Sequence, residues 1–77
     1  MQDTVCCYVK LVYLYMDWIV ELPSSMYVFD LIEQLNLEFE CEVPGTCLFD
    51  LKGERILDEK KTFQENEVKS GDYLFLI

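Results

Sequence analysis

The sequence predicts an α+β domain in which one helix packs across one face of a mixed sheet of four to five strands. Two observations set the elements: short runs of alternating apolar and polar residues recur near both ends and in the middle of the chain, and one segment alone spaces its apolar residues for a helix. A third sets the scale. The chain has 77 residues, 52% of them hydrophobic, and a chain this short buries only about 60% of its unfolded surface. One domain spanning 1–77, with one core, is therefore expected.

The first strand is Val5 to Leu11, where Val5, Cys7, Val9 and Leu11 share a side and Cys6, Tyr8 and Lys10 take the other. An aromatic-rich connection from Val12 to Asp17 leads to a second run, Trp18 to Pro23, with Val20 and Leu22 on one side and Ile19 and Glu21 opposite. Pro23 cannot donate to a ladder and ends that strand. Ser24 and Ser25 then offer hydroxyls for the first turn of a helix. Val28, Leu31, Ile32 and Leu35 follow at i, i+3, i+4 and i+7, forming one apolar stripe, with Asp30, Glu33, Gln34 and Asn36 on the wet side. The helix is expected to end near Leu37, where an alternating L-E-F-E-C-E-V segment begins. Pro44-Gly45 closes that segment with a turn.

Cys47 to Leu51 reads as the next strand, Cys47, Phe49 and Leu51 against Leu48 and Asp50. Lys52-Gly53-Glu54 is a turn, with Gly53 free to take positive φ. Ile56-Leu57 starts a short return strand. Asp58 to Lys69 is polar except at Phe63 and Val68, as expected of an irregular connection pinned to the core at two points. Ser70-Gly71-Asp72 turns the chain into a last strand, Tyr73 to Ile77. Two hairpins flanking one helix, with a final strand left to fill the middle of the sheet, make the pattern of a β-grasp.

Charge narrows the partners. Six Lys+Arg against fifteen Asp+Glu give a formal net charge of −9, which repels phosphate backbones and anionic lipid surfaces. Neither nucleic acid nor a membrane surface is an expected partner. The most apolar stretch, Val5 to Leu22, is interrupted by Lys10, Asp17 and Glu21 and lacks the roughly 18 uncharged residues that a membrane span needs. It also has no basic leader, so the mature chain is expected to start near Met1. Four cysteines without an export signal point to a reducing compartment, the cytoplasm by default.

Catalytic chemistry finds no foothold in the sequence. With no His, no nucleophile has an imidazole base, and the serines and threonines sit at expected caps and turns. Cys6, Cys7, Cys41 and Cys47 lack the spacing of zinc or iron–sulfur ligands, and adjacent strand cysteines point to opposite faces. Cys7 and Cys47 are expected as small core residues. Glu38, Glu40 and Glu42 read as a solvated edge rather than a cation site, and Lys60-Lys61 beside Asp58-Glu59 as exposed ion pairs. The expectation is a protein that is not an enzyme and takes no cofactor or metal.

The run from Leu51 to Leu76 carries the most specific signal: L-x-G-E-R-I-L-D-E-K-K-T-F-Q-E-N-E-V-K-S-G-D-Y-L-F-L. Its glycine turn (Gly53), short apolar strand (Ile56-Leu57), Thr62-Phe63 pair, Val68, Gly71-Asp72 turn and alternating Leu74 and Leu76 resemble the C-terminal half of ubiquitin-like proteins. The order of Pro23, Val28 and Leu31 agrees with the N-terminal half of the same family. Conjugating members and sulfur carriers end in a mobile diglycine tail, whereas this sequence stops at Leu76-Ile77, within the strand. Length, acidity and that ending resemble the small bacterial YukD/EsaB-like group, which implies a cytoplasmic accessory or regulator of type VII secretion of WXG-type proteins, acting by contact.

If Leu74 and Leu76 face the helix, alternation places Tyr73, Phe75 and Ile77 on the opposite face, with Tyr8 and Leu48 beside them. A contiguous apolar patch on a small protein calls for a partner, and Tyr and Phe are common interface anchors. The resemblance implies the same face, since ubiquitin-like proteins commonly bind through it. Tyr8, Leu48, Tyr73, Phe75 and Ile77 are thus the expected partner-binding residues, for a protein partner such as a secretion-machine component. Two alternatives stay open: a modifier or carrier whose diglycine tail is missing here, and a self-associating subunit in which a homodimer covers the same patch.

Overall fold

A computed structural model describes residues 4–11, 16–39 and 45–77. The expected aromatic connection at residues 12–15, together with Glu40, Cys41, Glu42 and Pro44, lies outside the described residues, as does Met1. Among the described residues, five strands and one helix follow in the order β1 (Thr4–Leu11), β2 (Met16–Pro23), α1 (Val28–Glu38), β3 (Leu48–Asp50), β4 (Arg55–Ile56) and β5 (Tyr73–Leu76). They form one mixed sheet in the order β2-β1-β5-β3-β4. Strands β1 and β2 pair antiparallel over eight residues without a slip in register. β5 enters parallel to β1, Tyr8 opposite Tyr73 and Leu11 opposite Leu76, and pairs antiparallel with β3 on its other side. The expected α+β architecture is the observed one.

Alternation in each strand sorts side chains onto two faces. On the helix side lie Val5, Cys7, Val9 and Leu11 of β1, Leu22 of β2, and Leu74 and Leu76 of β5, all buried. The helix sets Val28, Leu31, Ile32 and Leu35 against them. Each such side chain contributes about 1.5–3 kcal/mol relative to leaving it in water. Trp18 reaches from β2 to the end of the helix, its ring 4.2 Å from that of Phe39.

Several local expectations are corrected. Ser24 and Ser25 do not cap the helix; Tyr27 occupies the N-cap without a side-chain hydrogen bond. The first orphan N–H groups are satisfied by backbone instead, Val28 donating to the Lys61 carbonyl and Phe29 to that of Glu59, both at 3.0 Å. In the turn after β3 the left-handed residue is Glu54, with φ 51°. Gly53 instead leaves room for side chains, since a Cβ there would stand 2.8 Å from Oδ2 of Asp50, which would have to shift. The return strand begins one residue early, so that Leu57 leaves the sheet and enters the core. Lys60 and Lys61 form no ion pair among the described residues; Asp58 accepts the Lys60 backbone N–H at 3.0 Å. Cys47 is half-buried rather than a core residue.

The connection from Asp58 to Lys69 is more ordered than its polarity suggests. Phe63, fully buried, and Val68 anchor it as expected, but Asn66 is a third anchor. Its amide nitrogen donates to the carbonyls of Asp58 and Thr62 at 3.0 and 2.9 Å, while its oxygen accepts the Asp58 N–H at 2.9 Å. Thr62 and Glu65 form a reciprocal pair, each side chain accepting the other's backbone N–H at 3.0 Å. A similar device holds the start of the third strand: Asn36 donates to the carbonyl of Gly45 and accepts its N–H, at 2.7 and 2.9 Å.

Candidate interaction face

The face of the sheet away from the helix is built by the residues that alternate with the core. Register places Ile19, Tyr8 and Tyr73 in one row across β2, β1 and β5, and Leu51 continues it by donating its N–H to the Tyr73 carbonyl at 3.0 Å. The adjacent row runs Asp17, Lys10, Phe75, Phe49 and Ile56 across all five strands. Ile77 adjoins Cys47 at the end of the patch through paired backbone hydrogen bonds. Apolar side chains therefore run from Ile19 of β2 to Ile56 of β4, bordered on β1 and β2 by Lys10, Asp17 and Glu21, and Ile19 and Ile56 are 72% and 61% exposed.

Of the five residues singled out from sequence, four share this face. Tyr8 is 41% exposed and Ile77 39%, and Tyr73 and Phe75 are half-buried between them. Leu48 is the correction. It pairs with Leu76, points toward the helix and is fully buried. Its neighbour Phe49, opposite Phe75, takes the place expected for it. The signal was present in the alternation of Cys47, Phe49 and Leu51, which marks them as one side of a strand and Leu48 as the other. Ile19, Leu51 and Ile56 complete the face and were not singled out. Their exposure depends on which strands sit at the sheet's flanks, and this becomes visible only with the topology.

The aromatic rings are held rather than loose. Tyr8 and Tyr73 stack at 5.5 Å with an interplanar angle of 14°, and Phe75 meets Tyr73 edge-on at 5.7 Å. Hydrogen bonding to the Asp17 carboxylate, with smaller contributions from desolvation and nearby charge, pushes the Tyr73 phenol above its ordinary pKa. A fixed aromatic surface loses little side-chain entropy when covered.

Charged groups elsewhere are structural. Asp50, buried beside Leu48's neighbour strand, accepts the Lys52 N–H at 3.2 Å and meets Arg55 Nε at 3.5 Å. Asp72, also buried, accepts the Lys69 N–H at 3.0 Å. Both lie near Cys7, whose thiol is pushed up to about 11 by burial first and then by Asp72, Cys6 and Asp50. That direction opposes nucleophilic use of Cys7. Among the described residues, no three His, Cys, Asp or Glu side chains gather as metal ligands, and no helix is long and apolar enough to cross a membrane.

No protein-family model matches the chain, and no curated protein matches it either. Solved structures do match in fold. The C-terminal ubiquitin-like domain of mouse tubulin-specific chaperone e superposes with a TM-score of 0.75 at 19% identity, over 97% of this chain and 86% of that one. A ubiquitin-like domain from tubulin-binding cofactor B gives 0.73 at 13% identity, over 100% and 93%. A ubiquitin-like domain of an Arabidopsis thaliana protein gives 0.76 at 13% identity, over 97% and 77%. The fold is ubiquitin-like.

Proposed function

We propose that this protein is a non-catalytic interaction module that binds another protein through the outer face of its sheet, with Tyr8, Tyr73, Phe75, Phe49 and Ile77 as the anchors. One observation carries the reading: a five-stranded sheet covered on one face by its helix leaves the other face apolar, aromatic and pre-ordered. A patch of that kind on a small protein is an interface in search of its partner. Similarity of fold to ubiquitin-like domains, including one from a protein named for binding tubulin, fits contact rather than catalysis.

The finer form of the proposal follows the sequence resemblance: a cytoplasmic accessory of a bacterial type VII machine that secretes WXG-type proteins. Its test is an affinity pull-down from lysate of the source organism, comparing the wild type with Phe75→Asp after circular dichroism shows both folded. Recovery of a secretion ATPase or WXG-type protein by the wild type alone supports the finer form. Equal recovery by the folded variant removes the outer face as the site. Recovery of the chain alone, with a dimer in sedimentation, turns the reading toward self-association.

A further inference from the structure

The solvent side of α1 departs from the rules by which a helix stabilises itself. Its residues include Asp30, Glu33 and Glu38 but no Lys or Arg. Like charges one turn apart, as at Asp30 and Glu33, repel, and a carboxylate in the last turn, as at Glu38, opposes the helix dipole. The ion pair found among the described residues, Arg55 with Asp50, engages none of the three. The same side exposes large apolar groups: Phe29 is 50% exposed and Leu37 74%, with Tyr27 exposed at the N-cap. Phe29, Glu33 and Leu37 form one row at four-residue spacing, and Asp30, Gln34 and Glu38 form the next. A shallow groove of about 460 Å³ is lined by Asp30, Glu33, Gln34, Leu37 and Glu38. A second depression of similar volume shares Asp30 with it and continues to Tyr27, Phe29, Glu59 and Lys60. Departures of this kind from local self-consistency fall at functional sites.

We infer that this groove takes a basic amphipathic helix of another protein. The partner sets a row of apolar residues against Phe29 and Leu37 and an adjacent row of Lys or Arg against Asp30, Glu33 and Glu38. That the occupant is helical follows from the backbone. In the body of α1 the N–H and C=O groups are paired within the helix, so an extended segment would find nothing for its own backbone to bond. A helix arrives with its backbone already paired, and rows at four-residue spacing interdigitate helix to helix. Phe29 and Leu37 are separated by about 12 Å along the axis, which spans two turns of such a partner. Charge selects the basic class: the two depressions are lined by Asp30, Glu33, Glu38 and Glu59, and by Lys60 as their one basic residue. A second copy packed through the same helix would set these carboxylates against their equivalents and bring together two chains of formal charge −9. The groove lies across the molecule from the outer sheet face, so two partners can be held at once.

Helix docking and simple charge attraction are told apart by three blocked peptides, read by amide chemical shifts of the labelled protein at low salt. The first is built of four Ala-Ala-Lys-Leu repeats, which place Lys and Leu in adjacent rows of one helix face. The second replaces each Lys by Glu. The third keeps every Lys and Leu but exchanges one central Ala for Pro, which breaks the helix without changing the charge. The lysine peptide is expected to shift residues 29–38 and to bind about ten-fold more tightly than either of the others. Leu37→Ser weakens that binding, and the double variant Glu33→Lys, Glu38→Lys reverses the charge preference. The double variant should also melt no lower than the wild type, because it removes a repulsion and suits the helix dipole. Phe75→Asp, which disables the outer sheet face, leaves peptide binding unchanged, so the two surfaces fail separately. Equal binding of the lysine and glutamate peptides, equal binding of the proline form, shifts confined to Tyr8, Tyr73 and Phe75, or no binding each overturn the inference. If a variant does not fold, the three peptides decide on the wild type alone.

Discussion

Leu48 and Phe49 show what one residue's position in a strand decides. Hydrophobicity alone favours Cys47, Phe49 and Leu51 as the buried side, since the alternative side includes Asp50. Pairing with β5 settles it the other way: Leu48 lies opposite Leu76 inside, and Asp50 is buried with it because the Lys52 N–H and Arg55 supply the bonds its carboxylate needs. Sequence shows that two sides exist; which side faces the helix depends on a partner strand some 25 residues away. Leu48→Ala is therefore expected to cost about 2–5 kcal/mol in urea unfolding, more than the same change at exposed Leu51. Cys7 supplies a second test. Its folded pKa lies above the unfolded one, so the unfolded chain loses this proton first as pH rises. Stability from Cys7 is full below about pH 9 and declines toward its raised value near 11. The melting temperature of the wild type should fall more steeply between those pH values than that of Cys7→Ala. At neutral pH a maleimide should label exposed Cys6 and leave Cys7 untouched until the chain unfolds.

At the scale of elements, strands and helix were legible because each has a period, and the polar connection was not, because its order comes from hydrogen bonds that have none. Val28, Leu31, Ile32 and Leu35 announce a helix by spacing alone. Nothing in the spacing announces that Asn66 ties Asp58 to Thr62, or that the carbonyls of Glu59 and Lys61 cap a helix thirty residues upstream. These tasks are linked, since the segment that caps α1 is the one Asn66 holds in place. Asn66→Ala should cost about 3 kcal/mol by leaving buried backbone groups unpaired. It should also speed hydrogen exchange at the Val28 and Phe29 amides, which a local effect at Asn66 would not do. Gly45 offers a parallel case. A Cβ there would collide with Leu76, so Gly45→Ala should lower the melting temperature even though its backbone needs no unusual φ.

For the whole molecule, charge and topology dominate. A formal charge of −9 on a body with a radius of gyration of 11.4 Å makes self-repulsion a standing cost. Added salt shortens the range of that repulsion, and the melting temperature is expected to rise between low and physiological ionic strength in a calorimetric scan. The outer face was legible from the last strand, where Tyr73, Phe75 and Ile77 alternate with two leucines. Its full width was not, because Ile19 and Ile56 join it only once the strand order is known. The same order governs how the molecule comes into being. β1 is made first and β5 last, yet they lie side by side at the centre of the sheet. As the chain leaves the ribosome, the β1–β2 hairpin can close early, but β1 must wait with its inner flank bare until residue 76 has emerged. Contacts this distant along the chain form slowly. The newborn protein therefore passes through an interval in which its future middle is an open border.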